Sequence, residues 1–121
     1  KVYFFDKKYF IGSNGKKIST SDIEIPQDVP LVEGKFDINE YVKFIIKIKK
    51  SNLTLKEIES MYFHKNKRWD IRTKSGFLIM LPKENINKKI SIANELILNN
   101  TLKNFNKIDL RIKNKVITSY E

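Results

Sequence analysis

The chain is 121 residues long and carries 24 Lys and Arg against 14 Asp and Glu, a net charge of +10, on what is one domain's worth of sequence. It has no Cys and one His, His64, which excludes disulfide scaffolds, thiolate metal sites, Cys nucleophiles and any Ser-His-Asp arrangement not built on His64. Hydrophobic residues make up 40% and aromatics 12%, enough for one core, while no apolar run is long enough to span a bilayer.

Val2-Phe5 and Tyr9-Ile11 read as two short β runs around a polar turn at Asp6-Lys7-Lys8. Ser13-Asn14-Gly15 is a second turn, because Asn and Gly tolerate positive φ. Ser19 to Gly34 holds Pro26 and Pro30 and shows no period. It reads as an extended connector, with Val29-Pro30-Leu31-Val32 tucked onto the core.

Asp37 opens the first helix as its cap, with Glu40 three residues on as the reciprocal partner of a capping box. Ile38, Tyr41, Val42, Ile45 and Ile48 follow at helical spacing, and Lys43, Lys47 and Lys50 occupy the other side. Ser51-Asn52 ends it, and a short strand or turn is expected near Leu53-Leu55. Ile58-His64 is rich in β formers. In the next strand Trp69 and Ile71 alternate with Arg68, Asp70 and Arg72. Lys74-Ser75-Gly76 is a tight turn; Phe77-Leu81 returns apolar on both faces, as a covered central strand does, and Pro82 stops it.

Asn85 or Asn87 caps a second helix whose stripe is Ile86, Ile90, Ala93, Leu96 and Ile97, ending at Asn99-Asn100. Lys107-Ile112, a turn at Lys113-Asn114-Lys115 and Val116-Tyr120 form a final hairpin, with Ile108, Leu110 and Ile112 on one face. A terminal strand is often a sheet edge with a row of unpaired N–H and C=O groups. The expected fold is α+β, an antiparallel-rich mixed β-sheet with two α-helices packed on one face, over a single domain of residues 1–121.

The charge invites a nucleic-acid reading, but only three cations are Arg (Arg68, Arg72, Arg111) and 21 are Lys. The guanidinium forks that read phosphates and bases are scarce, so a solvated Lys-rich surface is the plainer account. A basic nucleic-acid-binding module remains the alternative, with Tyr3-Phe4-Phe5 and Tyr9-Phe10 as stacking platforms beside Lys7 and Lys8. Asp22/Glu24 and Glu57/Glu59 have strand spacing that places each pair on one side; without an aromatic-lined cleft they read as solvated rather than as glycosidase carboxylates. His64, among Lys65, Lys67 and Arg68, has no nucleophile nearby in sequence and reads as a surface or packing residue. Trp69 reads as a core anchor with Lys67 and Arg68 as a cationic rim. Asn52-Leu53-Thr54 matches a glycosylation triplet of the kind that arises by chance. No phosphate-loop, dinucleotide, zinc-protease or EF-hand spacing occurs, so no enzyme, metal or cofactor is expected.

Three segments taken in order resemble the FtsQ/DivIB family of bacterial cell-division proteins. Val29-Pro30-Leu31-Val32-Glu33-Gly34 is similar to its Leu-Pro-x-x-x-Gly element. Lys67-Arg68-Trp69-Asp70 through Leu81-Pro82 resembles its Arg-Arg-Trp-Asp hairpin signature, and Ile108-Asp109-Leu110-Arg111 its terminal Asp-Leu-Arg element. Tyr9-Ile11 with Gly15-Lys16-Lys17-Ile18 is similar to the family's entry into this domain, and the Lys/Asn/Ile bias resembles its alphaproteobacterial branch.

The resemblance implies the periplasmic β domain of a single-pass inner-membrane protein. The membrane segment and POTRA domain are expected before Lys1, where the chain starts without Met. It implies a non-enzymatic scaffold for septation that binds FtsB/FtsL-type division partners and neither nucleic acid nor a small-molecule substrate. A partner strand is expected on the last strand, and the family's contact region carries over to Ile112, Lys113, Asn114, Lys115, Val116, Ile117, Thr118, Ser119 and Tyr120. Tyr120 matches a position where some relatives have Trp, and Lys67 and Arg68 match a basic pair near a second contact. The chain departs from the family at Ile112, often aromatic there, and at Asn114-Lys115, often a Gly turn. Main-chain pairing survives such changes better than side-chain recognition does.

Overall fold

A computed structural model describes the backbone of strands β1 (Val2–Phe5), β2 (Tyr9–Gly12) and β3 (Lys17–Ser19) and every residue from Pro30 to Glu121. The turn at Ser13-Asn14-Gly15, the pair Asp22/Glu24 and most of the expected connector lie outside the described residues. So do the side chains of the expected aromatic platforms.

From Pro30 on, the order is β4 (Leu31–Gly34), α1 (Ile38–Lys49), a 3-10 turn (Leu55–Glu57), β5 (Ile58–Phe63), β6 (Trp69–Thr73), β7 (Leu78–Met80), α2 (Ile86–Leu98), β8 (Lys107–Asp109) and β9 (Ile117–Ser119). The described strands form one sheet of nine, ordered β3-β2-β1-β4-β5-β6-β7-β8-β9. β1/β4, β4/β5 and β7/β8 are parallel and the other neighbours antiparallel. The fold is α+β, as the sequence predicts.

β4-α1-β5 and β7-α2-β8 are both parallel crossovers stepping the same way across the sheet from strands that point the same way. Such crossovers are right-handed, so both helices lie on one face. There α2 is tied to the turn that follows α1: the Asn94 side chain donates to the Asn52 carbonyl at 3.1 Å.

α1 starts where Asp37 accepts from the Glu40 N–H at 2.8 Å, satisfying one of the first-turn donors. α2 starts differently from expectation. Asn85 does stand at its cap, but in the left-handed region (φ 56°) and without a side-chain capping bond.

The core is a row that crosses the sheet in register: Val32, Met61, Ile71, Ile79 and Ile108 sit side by side, each at most 1% exposed. Tyr41, Phe44, Ile45 and Ile48 from α1 and Ile86, Ile90 and Ala93 from α2 close over it. Full burial of a side chain of this size contributes about 1.5–3 kcal/mol, so the row is the main adhesive of the sheet.

Three expectations need correction. The end of the presumed connector is a parallel strand, β4, wedged between β1 and β5. Its Gly34 (φ 102°) runs so close to β5 that a Cβ would stand 2.3 Å from the Phe63 carbonyl oxygen, which explains why that position takes no side chain. Second, Glu57 is not on the β5 strand with Glu59. Its carboxylate caps the 3-10 turn through the Thr54 hydroxyl at 2.7 Å, so the two do not form a strand pair. Third, Ile112 does not share the buried face of Ile108 and Leu110: β8 stops at Asp109 and Ile112 is 49% exposed. β7 is central as expected but covered by helices on one side only, so Ile79 is buried while Leu78 and Met80 are half-buried.

Candidate interaction edge

Among the described residues β9 is the last strand of the sheet and pairs with β8 alone. Which of its main-chain groups are free follows from the ladders. The parallel β7/β8 pair uses the Asn106 carbonyl, which accepts from Leu78 N–H at 2.8 Å, and the Leu110 N–H, which donates to the Met80 carbonyl at 2.9 Å. The main chain of residue 108, the Asn106 carbonyl and the Leu110 N–H therefore aim at β7. Lys107 and Asp109 aim theirs the other way, at Ser119 and Ile117. Two more bonds agree: Asn106 N–H reaches the Ser119 carbonyl, and Glu121 N–H donates inward to Asn106 Oδ1 at 2.7 Å. Ile117, Ser119 and Glu121 are turned inward. Thr118 is left with its N–H and C=O pointing out of the sheet, and Val116 and Tyr120 have the same parity.

The side chains here are unusually apolar for a surface. Of the large hydrophobic residues exposed among the described residues, Ile112, Val116, Ile117 and Tyr120 all fall in the last ten positions. Phe105 joins them by packing its ring 5.2 Å from that of Tyr120. Scattered exposed apolar residues are ordinary, but several close together in sequence beside an open strand edge make that edge a candidate interaction surface.

The other expected contact pair lies at the β5–β6 hairpin. Trp69, 3% exposed, anchors this end: its ring lies flat on Phe44 at 4.5 Å and also meets Phe63 and Phe36. On the opposite face Asp70 is nearly buried and receives His64 Nε2 at 2.7 Å and, more loosely, Arg68 Nη1 at 3.4 Å. Arg68 also donates to the Leu81 carbonyl at 3.1 Å. His64 is thus a packing residue with a carboxylate partner, its ring edge-on to Tyr62. Lys67 is exposed and sits at φ 67°, in the tight turn where His64 N–H meets the Arg68 carbonyl.

The structure brings one half of this pair to the hairpin at the sheet's edge. Arg68 and Lys113 line one groove of about 420 Å³ together with Lys83, Lys89 and Arg111. Lys67 lines a separate small hollow with Lys43, Lys47 and Trp69.

Sequence reasoning does not reveal that all three Arg residues are already paired within the chain. Arg68 is on Asp70. Arg111 clasps Asp109 through Nε at 2.9 Å and Nη2 at 2.7 Å, and its guanidinium holds the Asp109 carboxyl below the ordinary carboxylate range. Arg72 holds Glu121 with both terminal nitrogens, Nη1 at 2.8 Å, and lowers the Glu121 carboxyl in the same way. A D-x-R spacing such as Asp109-Leu110-Arg111 is the one sequence signal that could have indicated the second pair; nothing in sequence links residues 72 and 121.

Among the described residues no group of three or more His, Asp or Glu side chains is placed to hold a metal ion. Among the same residues no helix is long and apolar enough to cross a membrane. The model of a family described as FtsQ/DivIB, C-terminal related, matches residues 1–119. No curated protein matches the chain.

Proposed function

Because the chain belongs to the FtsQ/DivIB C-terminal related family, a family of cell-division scaffolds, we propose that it is a single non-enzymatic docking domain that accepts a β-strand from an FtsB/FtsL-type partner along β9. The observation that carries this is the outward main chain of Thr118 on the last strand of the sheet, flanked by exposed Ile112, Val116, Ile117 and Tyr120. Strand addition takes affinity from main-chain bonds and specificity from alternate side chains. Lys113, Asn114, Lys115 and Ser119 complete the contact stretch, and Lys67 and Arg68 form the second contact. Arg68, held on Asp70, presents only the rest of its fork to the groove it shares with Lys113. In the full-length protein the domain is periplasmic, carried by a single inner-membrane span.

A nucleic-acid role gains nothing from the structure, since the three guanidinium groups are all engaged by carboxylates of the same chain.

Thr118→Pro is the direct test. It deletes an outward donor and no bond of the internal ladder, so the domain stays folded and partner binding falls by about 100-fold or more. Ile117→Pro is a poorer probe because its N–H is spent on β8. A folded Thr118→Pro variant with full affinity for the partner would overturn the reading.

A further inference from the structure

We propose that Arg72 and Glu121 form a clip that holds β9 in pairing conformation. The strand needs outside help. It is three residues long, and its one neighbour, β8, is three residues long as well. An edge ribbon of that size frays readily.

The clip supplies the help from a distance. Arg72 stands on β6, and β7 and β8 lie between it and β9. Its side chain shares a face with Leu78, Lys107 and Ser119, which are aligned with it across the sheet. Glu121 has the inward parity of Ile117 and Ser119, so its side chain emerges on that same face, away from the helices. There its carboxylate takes both terminal nitrogens of Arg72 while its N–H is bound to Asn106 Oδ1. Paired parallel bonds of this kind fix direction as well as distance. Glu121, just after Tyr120, is thereby tied across the sheet to β6. A visiting strand finds outward groups at Thr118 and Tyr120. Arg72 is therefore a positioning residue for docking, although it touches no part of the edge that a partner would meet.

This inference rests on the edge-docking reading for its functional half, and the experiment separates the two. Arg72→Gln, Glu121→Gln, the double variant and the swapped pair Arg72→Glu with Glu121→Arg are compared by amide hydrogen exchange. Each is also titrated with a peptide from the periplasmic segment of an FtsB-type partner. In each single variant exchange at Ile117 and Ser119 quickens roughly two- to fivefold, the range set by a partly exposed ion pair. Exchange at Ile71 in the central strand stays unchanged. The double variant is no worse than either single one, the swap restores protection, and peptide affinity follows the same order. Unchanged exchange at Ile117 and Ser119 overturns the clip, as does faster exchange with undiminished affinity. If Thr118→Pro also binds the peptide fully, the edge-docking reading has failed, and exchange alone then decides the clip.

Discussion

The β5–β6 hairpin and the β8–β9 hairpin are both polar-tipped turns rich in Lys, yet the chain treats them in opposite ways. At the first, the aromatic ring and the paired charges are engaged internally: Trp69 is buried on Phe44, and Arg68 and His64 converge on Asp70. At the second the apolar residues Ile112, Val116, Ile117 and Tyr120 face solvent and Thr118 has an unused donor and acceptor. Buried, mutually satisfied groups hold a fold together, whereas unsatisfied ones are what a partner can complete. Of the two hairpins, the first contributes to stability, and the second leaves groups that the proposed partner would complete.

The largest effect that would break this contrast is on stability at the first hairpin. Trp69→Ala removes the ring that joins α1 to the sheet and costs about 3–5 kcal/mol of unfolding free energy in denaturant titration. A loss below about 1 kcal/mol would deny that end its structural role. Next comes Tyr120→Ala, which leaves stability within about 0.5 kcal/mol and weakens partner binding by about 10- to 30-fold in calorimetry, since an exposed aromatic beside an open edge is the usual anchor. An equal loss of stability and affinity would erase the distinction between the two regions.

The smallest effect sharpens it. Lys67 carries a side chain in the left-handed region, where Lys pays about 1 kcal/mol that Gly does not. Lys67→Gly therefore raises the unfolding free energy by about 0.5–1 kcal/mol. If affinity for the partner falls in the same variant, the charge is kept at the expense of stability; if affinity is unchanged, Lys67 has no part in the second contact.

Much of this was legible in the sequence because periodicity reports burial. The stripe of Ile45 and Ile48 and the alternation of Trp69 and Ile71 against Asp70 and Arg72 both predict the face that the core occupies. The edge position of the last strand follows from its place at the end of a hairpin. β4 was hidden because Pro30 and Gly34 bracket only three residues, and its strand character comes from parallel neighbours remote in sequence. Ile112 misled because alternation continues in the letters after the strand itself has stopped. The outward parity of Thr118 depends on hydrogen bonds made two strands away, and the clip between Arg72 and Glu121 joins residues 49 apart. Neither leaves a local pattern to read.

The central claim is that a partner strand pairs with the outward main chain of β9. Amide exchange of the domain, free and with the partner bound, tests it most directly. The account predicts that Ile117 and Ser119 are already protected in the free domain, and that Thr118 passes from rapid to slow exchange on binding. A complex in which Thr118 still exchanges as fast as in the free domain would contradict it.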